Sequence, residues 1–271
     1  MTIGTPGSVS IAEIEDARAA IAGSVRQTPL WPSRTLSDLV GVPVSLKCEQ
    51  MQLTGSFKAR GAMNFVRQLG PSMTGLVAAS AGNHAQGVAL AGTARGLPVT
   101  VVMPAAAPLA KVMAARAYGA RVILQGASLE DARTEALQIA SREGRLYVPP
   151  FDDDAVIAGQ GTIGLEILEQ HPDVQEVLVP AGGGGLLSGI ATAIKARRPG
   201  VRVVGVQAAA MNGICRSLES GTASTAPSRR TIADGVAVAG PSERTFAIIR
   251  DNVDEVVSCS EEAIAHAIVL L

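Results

Sequence analysis

Short apolar segments take turns with amphipathic helical patterns along most of the chain, and this alternation constrains the fold more than any single residue. Residues 42–48, 75–79, 98–103, 120–124, 176–180 and 201–206 are brief, β-rich and apolar. Between them, residues 57–69, 84–95, 128–142 and 187–196 carry helical patterns; in the third, Leu129, Ala132, Ala136, Leu137 and Ala140 recur at helical spacing. Ser10 followed by Glu13 is a capping-box signal for a helix near the start. A helical crossover returns the chain to the edge it left, so successive strands run parallel. The pattern predicts an α/β fold with open, mostly parallel, twisted sheets flanked by helices.

Composition removes several function classes. Hydrophobic residues make up 47% and charged residues 17% of 271, enough apolar surface for a folded core. The 23 basic and 24 acidic residues nearly cancel, and no basic run stands out, so nucleic acid and anionic membranes are poor partners. Seven aromatic residues leave few stacking platforms for bases. No uninterrupted apolar stretch reaches the roughly 18 residues of a membrane span, and the first residues lack a signal-peptide pattern. Cys48, Cys215 and Cys259 are widely separated and form no zinc set with His84, His171 and His266. Buried thiols in a reducing cytoplasm, and no metal site, are expected. Ser258 to Glu261 reads as another helix cap, and that helix ends in the apolar run Ile268-Val269-Leu270-Leu271. Such an end either docks in the core or is followed by further chain; the second is expected, as a missing C-terminal part.

Three segments carry chemistry. In Thr54-Gly55-Ser56-Phe57-Lys58-Ala59-Arg60-Gly61, a turn leads into a helix that Ser56 could cap and Phe57 begin. Lys58 then falls in the first turn, where the helix dipole disfavours a cation. A solvated surface lysine is the plain alternative; a nucleophilic lysine, which must lose its proton, is the chemical one. Ser80-Ala81-Gly82-Asn83-His84 joins a strand to a helix, and small residues there expose N–H groups to a carboxylate or phosphate. Asn83 as an N-cap and His84 as an internally bonded histidine are compatible with that role. The third segment, Gly182-Gly183-Gly184-Gly185-Leu186, has four glycines in a row between strand and helix. Leu187 stands where a dinucleotide fingerprint needs its third glycine, and Gln207 rather than an acid ends the next strand. One phosphate fits better than a pyrophosphate.

Taken together, these segments resemble the fold-type II pyridoxal-phosphate enzymes, and most closely the threonine/serine dehydratases. Thr28-Pro29-Leu30, Pro149-Pro150-Phe151-Asp152, the run from Val156 to Glu166, and Ala233-Asp234-Gly235 add to the likeness, which runs from Val25 to Leu271. The resemblance implies a two-domain, tryptophan synthase β-like fold. Residues 1–52 and 149–271 would form a discontinuous phosphate-binding domain, and residues 53–148 a smaller domain carrying the substrate-carboxylate loop. It implies that Lys58 holds pyridoxal 5'-phosphate as a Schiff base beside Phe57, and that Asn83 bonds the ring's phenolic oxygen. Gly182, Gly183, Gly184, Gly185 and Leu186 would wrap the phosphate, while Ser80, Ala81, Gly82, Asn83 and His84 receive the substrate carboxylate. The implied reaction eliminates water and ammonia from L-threonine or L-serine, in a homodimer or homotetramer. Related serine racemases carry a proton-exchanging serine where Ala81 stands and an acidic metal ligand where Gln207 stands, so dehydration is expected over racemisation. The family's later segments, including the partner of the pyridine nitrogen, lie beyond Leu271. Alternatives are an eliminase for another hydroxy amino acid, as in hydroxyectoine or hydroxyaspartate breakdown, and a cofactor binder without turnover.

Overall fold

A computed structural model describes residues 9–227 and 230–271 of the chain. In chain order the elements begin with α1 (Ile11–Ile21), β1 (Leu30–Pro32), α2 (Arg34–Val40), β2 (Ser45–Lys47) and α3 (Lys58–Arg67). The middle comprises β3 (Leu76–Ala79), α4 (Asn83–Ala94), β4 (Val99–Met103), α5 (Leu109–Ala117), β5 (Arg121–Leu124), α6 (Leu129–Glu143) and β6 (Leu146–Tyr147). There follow α7 (Asp154–Gln170), β7 (Glu176–Pro180), α8 (Gly185–Arg197) and β8 (Arg202–Ala208). The last elements are α9 (Gly213–Ser220), α10 (Glu243–Asn252), β9 (Glu255–Cys259) and α11 (Glu261–Leu270).

The chain divides into two compact units, one of Met1–Asp16, Gln27–Cys48 and Phe151–Leu271, the other of Ala17–Arg26 and Glu49–Pro150. The second unit holds a parallel sheet in the order β5-β4-β3-β6. Every residue of its two central strands is buried, as expected when helices cover both faces of a parallel sheet. Val77, Ala79 and Val102 pack there against Ala132, Ala136, Ile139 and Ala140 of α6. The chain enters α6 through a reciprocal capping box: Asp131 N–H donates to Ser128 Oγ (3.1 Å), and Ser128 N–H to Asp131 Oδ2 (2.9 Å).

The first unit contains the parallel sheet β7-β8-β9 and an antiparallel pair, β1-β2. Residues 42–48, read as one strand, contribute only three residues to β2, paired with a strand the apolar pattern did not mark. The Lys47 ammonium ties this pair to α7, bonding Glu166, Gln170 Oε1 (2.9 Å) and the Thr28 carbonyl (2.6 Å). The run from Val156 to Glu166 lies within α7. Its small residues serve close packing on α8: a Cβ on Gly161 would lie 2.9 Å from Gly189 O, and one on Gly164 2.9 Å from Ala193 Cβ. Strand β9 also went unmarked, because three of its five residues are exposed and its apolar run is short.

Ser10 and Glu13 form the expected cap, with Ser10 N–H donating to Glu13 Oε2 (2.7 Å) and Glu13 N–H to Ser10 Oγ (3.3 Å). Ser260 caps α11 as expected, accepting from Ala263 N–H at 3.2 Å. That helix buries none of its residues, and Ile268 (61%) and Val269 (83%) are open, so it does not dock in a core among the described residues. The three cysteines are free; only Cys48 is buried, the other two being half-buried rather than enclosed as expected. Among the described residues, no helix is long and apolar enough to cross a membrane.

Candidate active site

Lys58 is the first residue of α3. The turn before it closes through Gly55 N–H to Gln52 O (2.8 Å), with Gly55 at φ 71°. The capping expected of Ser56 does not form. An N-cap residue needs extended backbone so that its oxygen can swing back to the helix N–H groups. Here the cap position is Phe57, whose φ −58° and ψ −18° are already helical, leaving Ser56 one residue too early. The Ser56 hydroxyl is buried, with no hydrogen-bond partner among the described residues.

Lys58 is half-buried as a residue, with its amine enclosed. It donates to the Pro150 carbonyl at 2.6 Å and lies 5.1 Å from the centre of the Phe57 ring. Burial lowers its pKa from the ordinary 10.5 to about 8, because the charged form is poorly solvated there. The backbone beneath it is held from two directions. Arg60, 1% exposed, makes a two-pronged bond to Glu49 (2.9 and 2.8 Å) and reaches Arg26 O (3.2 Å). Gly87 of α4 lets that helix lie against Lys58 itself; a Cβ there would stand 3.0 Å from the Lys58 carbonyl.

The segment after β3 begins with Ser80 N–H on Val102 O (3.1 Å) and turns through Gly82 N–H on Ser80 Oγ (3.1 Å). Helix α4 starts at Asn83 with Gly82 as N-cap, so Asn83 is not the cap and its side chain is exposed. Among the described residues, the N–H groups of Asn83 and His84 have no protein acceptor, as befits the open end of a helix. The ring of His84 is buried, with Nε2 2.9 Å from Val148 O. A carbonyl only accepts, so Nε2 carries the proton and Nδ1 the lone pair. Burial first, then the charge of Lys58, lowers the His84 pKa to about 3 against the opposing Val148 bond; the ring is neutral near pH 7.

The glycine segment leaves β7 after Ala181 N–H bonds Val206 O (2.8 Å). Gly184, the N-cap of α8, has φ 93°, a conformation other residues rarely adopt. At Gly183 a Cβ would fall 2.4 Å from the Phe151 ring, and at Gly185 2.8 Å from Phe151 Cβ. Packing against Phe151 therefore demands glycine at both positions. Gly183, Gly184 and Gly185 are buried, yet their N–H groups, like that of the half-buried Leu186, bond no acceptor among the described residues. Buried N–H groups are normally paired, so a helix start with several unpaired ones fits an anion such as a phosphate.

Gln207 is fully engaged by backbone: Nε2 donates to Met211 O (3.2 Å), and Oε1 accepts from Ile214 N–H (3.0 Å) and Cys215 N–H (3.1 Å). Among the described residues, no group of three or more His, Cys, Asp or Glu side chains could hold a metal ion. Pro150 and Phe151 stand in the sequence only as parts of a motif without roles, and Gly87 carries no separate signal. The double proline followed by an aromatic was a signal, but its partners lie far along the chain.

The chain matches the family described as pyridoxal-phosphate dependent enzyme over residues 21–271. The L-threonine ammonia-lyase of Geobacter sulfurreducens is 49% identical over 260 residues, covering 95% of this chain and 65% of that protein. The L-threonine ammonia-lyase of Thermotoga maritima is 47% identical, covering 97% of this chain and 66% of its own length. The chain thus spans just under two thirds of these curated relatives. Among solved structures, a T.th. threonine deaminase superposes with a TM-score of 0.91 at 44% identity, covering 95% of this chain and 84% of that one. Maize serine racemase gives 0.93 at 36% identity, covering 97% and 80%. With nearly all of its length matched and the α/β fold shared, the chain belongs to the family of pyridoxal-phosphate dependent enzymes.

Proposed function

We propose that the chain is an ammonia-lyase that uses pyridoxal 5'-phosphate to remove water and ammonia from L-threonine, L-serine or both. The observation that carries this is Lys58: an enclosed amine held by a carbonyl, its pKa lowered to about 8 by burial. A surface lysine would be mostly charged at neutral pH; this one reaches the neutral, nucleophilic form far more readily. In this reading Lys58 is the amine that binds the cofactor's aldehyde carbon, with Phe57 beside it. Gly182, Gly183, Gly184, Gly185 and Leu186 take the phosphate, for which their unpaired N–H groups are suited. Asn83 bonds the phenolic oxygen, and Ser80, Ala81, Gly82, Asn83 and His84 receive the substrate carboxylate. By domain, the phosphate falls to residues 1–52 and 149–271, the carboxylate to 53–148.

Bound pyridoxal phosphate supplies a sink for the electrons left when a Cα–H bond breaks. The freed, neutral Lys58 amine takes that proton. The neutral His84 ring adds no charge beside the amine. Ala81 offers only a methyl group, with no proton to return to the opposite face of Cα; this supports elimination over racemisation. Loss of the β-hydroxyl as water leaves an enamine that, once released, takes up water on hydrolysis, giving ammonia with 2-oxobutanoate from threonine or pyruvate from serine. A cytoplasmic location and a homodimer or homotetramer complete the reading.

Absorption spectra with added cofactor, before and after L-threonine or L-serine, test it. A visible band that Lys58→Ala abolishes, together with 2-oxo acid release, is expected. No band in the native protein overturns the cofactor assignment; a band without 2-oxo acid from either substrate overturns the lyase.

A further inference from the structure

We infer that Thr245 is a positioning residue for the glycine loop, holding the Gly183 carbonyl so that the Gly184 N–H is presented to the phosphate. This rests on the reading above that the loop binds a phosphate. Thr245 lies in the first turn of α10 and is fully buried (0%). Its hydroxyl donates to Gly183 O at 2.9 Å and accepts from Ser242 N–H at 3.0 Å. The position is normally filled by Glu or Gln in a capping box, and those carboxylate or amide ends reach back to the cap. A threonine does the same with a shorter arm and keeps a proton to give elsewhere. Of the acceptors within its reach, Gly183 O at 2.9 Å is nearer than Ser242 Oγ (3.2 Å) and Ser242 O (3.3 Å).

The consequence follows from peptide geometry. In a planar trans peptide the C=O and the following N–H point in opposite directions. Fixing Gly183 O towards α10 therefore turns the Gly184 N–H away from α10. The same helix closes that side of the loop: a Cβ on Gly184 would lie 2.8 Å from Ile249 Cδ1 and 3.1 Å from Thr245 Cβ. Ser188 Oγ, one turn into α8, donates to Thr245 O at 3.4 Å. Phe151 supports Gly183 and Gly185, and its neighbour Asp152 accepts from Ser242 Oγ (2.7 Å) and Arg244 Nη1 (2.7 Å). The N-terminus of α10 is thereby bonded both to the loop and to the segment bearing Phe151. Without the Thr245 hydroxyl, a buried carbonyl loses its donor and the Gly183–Gly184 peptide is free to rotate.

The test compares binding of pyridoxal 5'-phosphate with binding of pyridoxal, which has the aldehyde but no phosphate, both followed by the visible band that depends on Lys58. The native protein is expected to prefer the phosphate form. Thr245→Val, equal in size but without the hydroxyl, should lose about tenfold or more of that preference, the scale of one hydrogen bond to a charged group. Thr245→Ser should retain it, and affinity for pyridoxal should change little in either. If Thr245→Val does not fold, Thr245→Cys, similar in size and a weaker donor, should lose part of the preference. A Thr245→Val protein (or Thr245→Cys in its place) that keeps the full preference, or that loses affinity for both ligands equally, overturns the inference while leaving the lyase reading intact. A native protein that forms the band with neither ligand overturns the lyase reading, and the inference with it.

Discussion

Replacing Lys58 by methionine should change how stability depends on pH, in a direction fixed by the enclosed amine. The amine titrates near pH 8 in the folded chain against the ordinary 10.5. Between those values the unfolded chain binds more protons than the folded one, so the native protein gains stability as pH rises across the interval. Below pH 8 the full penalty of burying the charge is present. At about 1.4 kcal/mol per pH unit, that interval is worth roughly 3 kcal/mol as an upper figure. Methionine keeps a similar stem, cannot titrate, and lacks this slope. It also leaves the Pro150 carbonyl without its donor, but that loss is nearly constant, since both forms of the lysine can donate. His84 titrates near 3, far below the window, and tyrosines and other lysines are common to both proteins. Urea unfolding of the cofactor-free proteins at pH 7, 8, 9 and 10 should show the native protein gaining on Lys58→Met, most of it above pH 8. Parallel profiles within about 0.5 kcal/mol would refute the claim that burial lowers the Lys58 pKa.

Gly183→Ala should destabilise the chain by roughly 1–3 kcal/mol, because the new Cβ falls 2.4 Å from the Phe151 ring where ordinary contact begins at 3.4 Å. In a Phe151→Ala background most of that penalty should vanish; urea midpoints showing simple additivity would count against the packing assigned to the loop. Glu49→Ala should cost roughly 3–5 kcal/mol, since it leaves the Arg60 guanidinium buried without its carboxylate. Replacing Arg60 by methionine as well should recover a good part of the loss, and a double variant as unstable as the sum of the singles would contradict it.

Local signals carried much of the chain and stopped where partners are distant. The parallel sheet around β3 and β4 was legible because both strands are buried throughout and therefore apolar throughout. Lys58 was legible as a lysine at an unfavourable helix start, though burial, rather than the helix dipole, is what lowers its pKa. The glycine run was legible as a loop open to an anion, but not as a segment that close packing against Phe151 also requires to be glycine. Phe151 lies 32 residues before Gly183 and Thr245 lies 62 after it, so no window along the sequence shows a ring and a hydroxyl converging on that peptide. Ser56 misled for the opposite reason: capping is a local signal, and it was overridden when Phe57 adopted helical geometry. The buried hydroxyl left behind and the unpaired N–H groups of the glycine loop are both polar groups whose partners the described residues do not provide. For the loop, its position at a helix start suits an anion; Ser56, outside the helix and with no such field to orient it, carries no comparable indication.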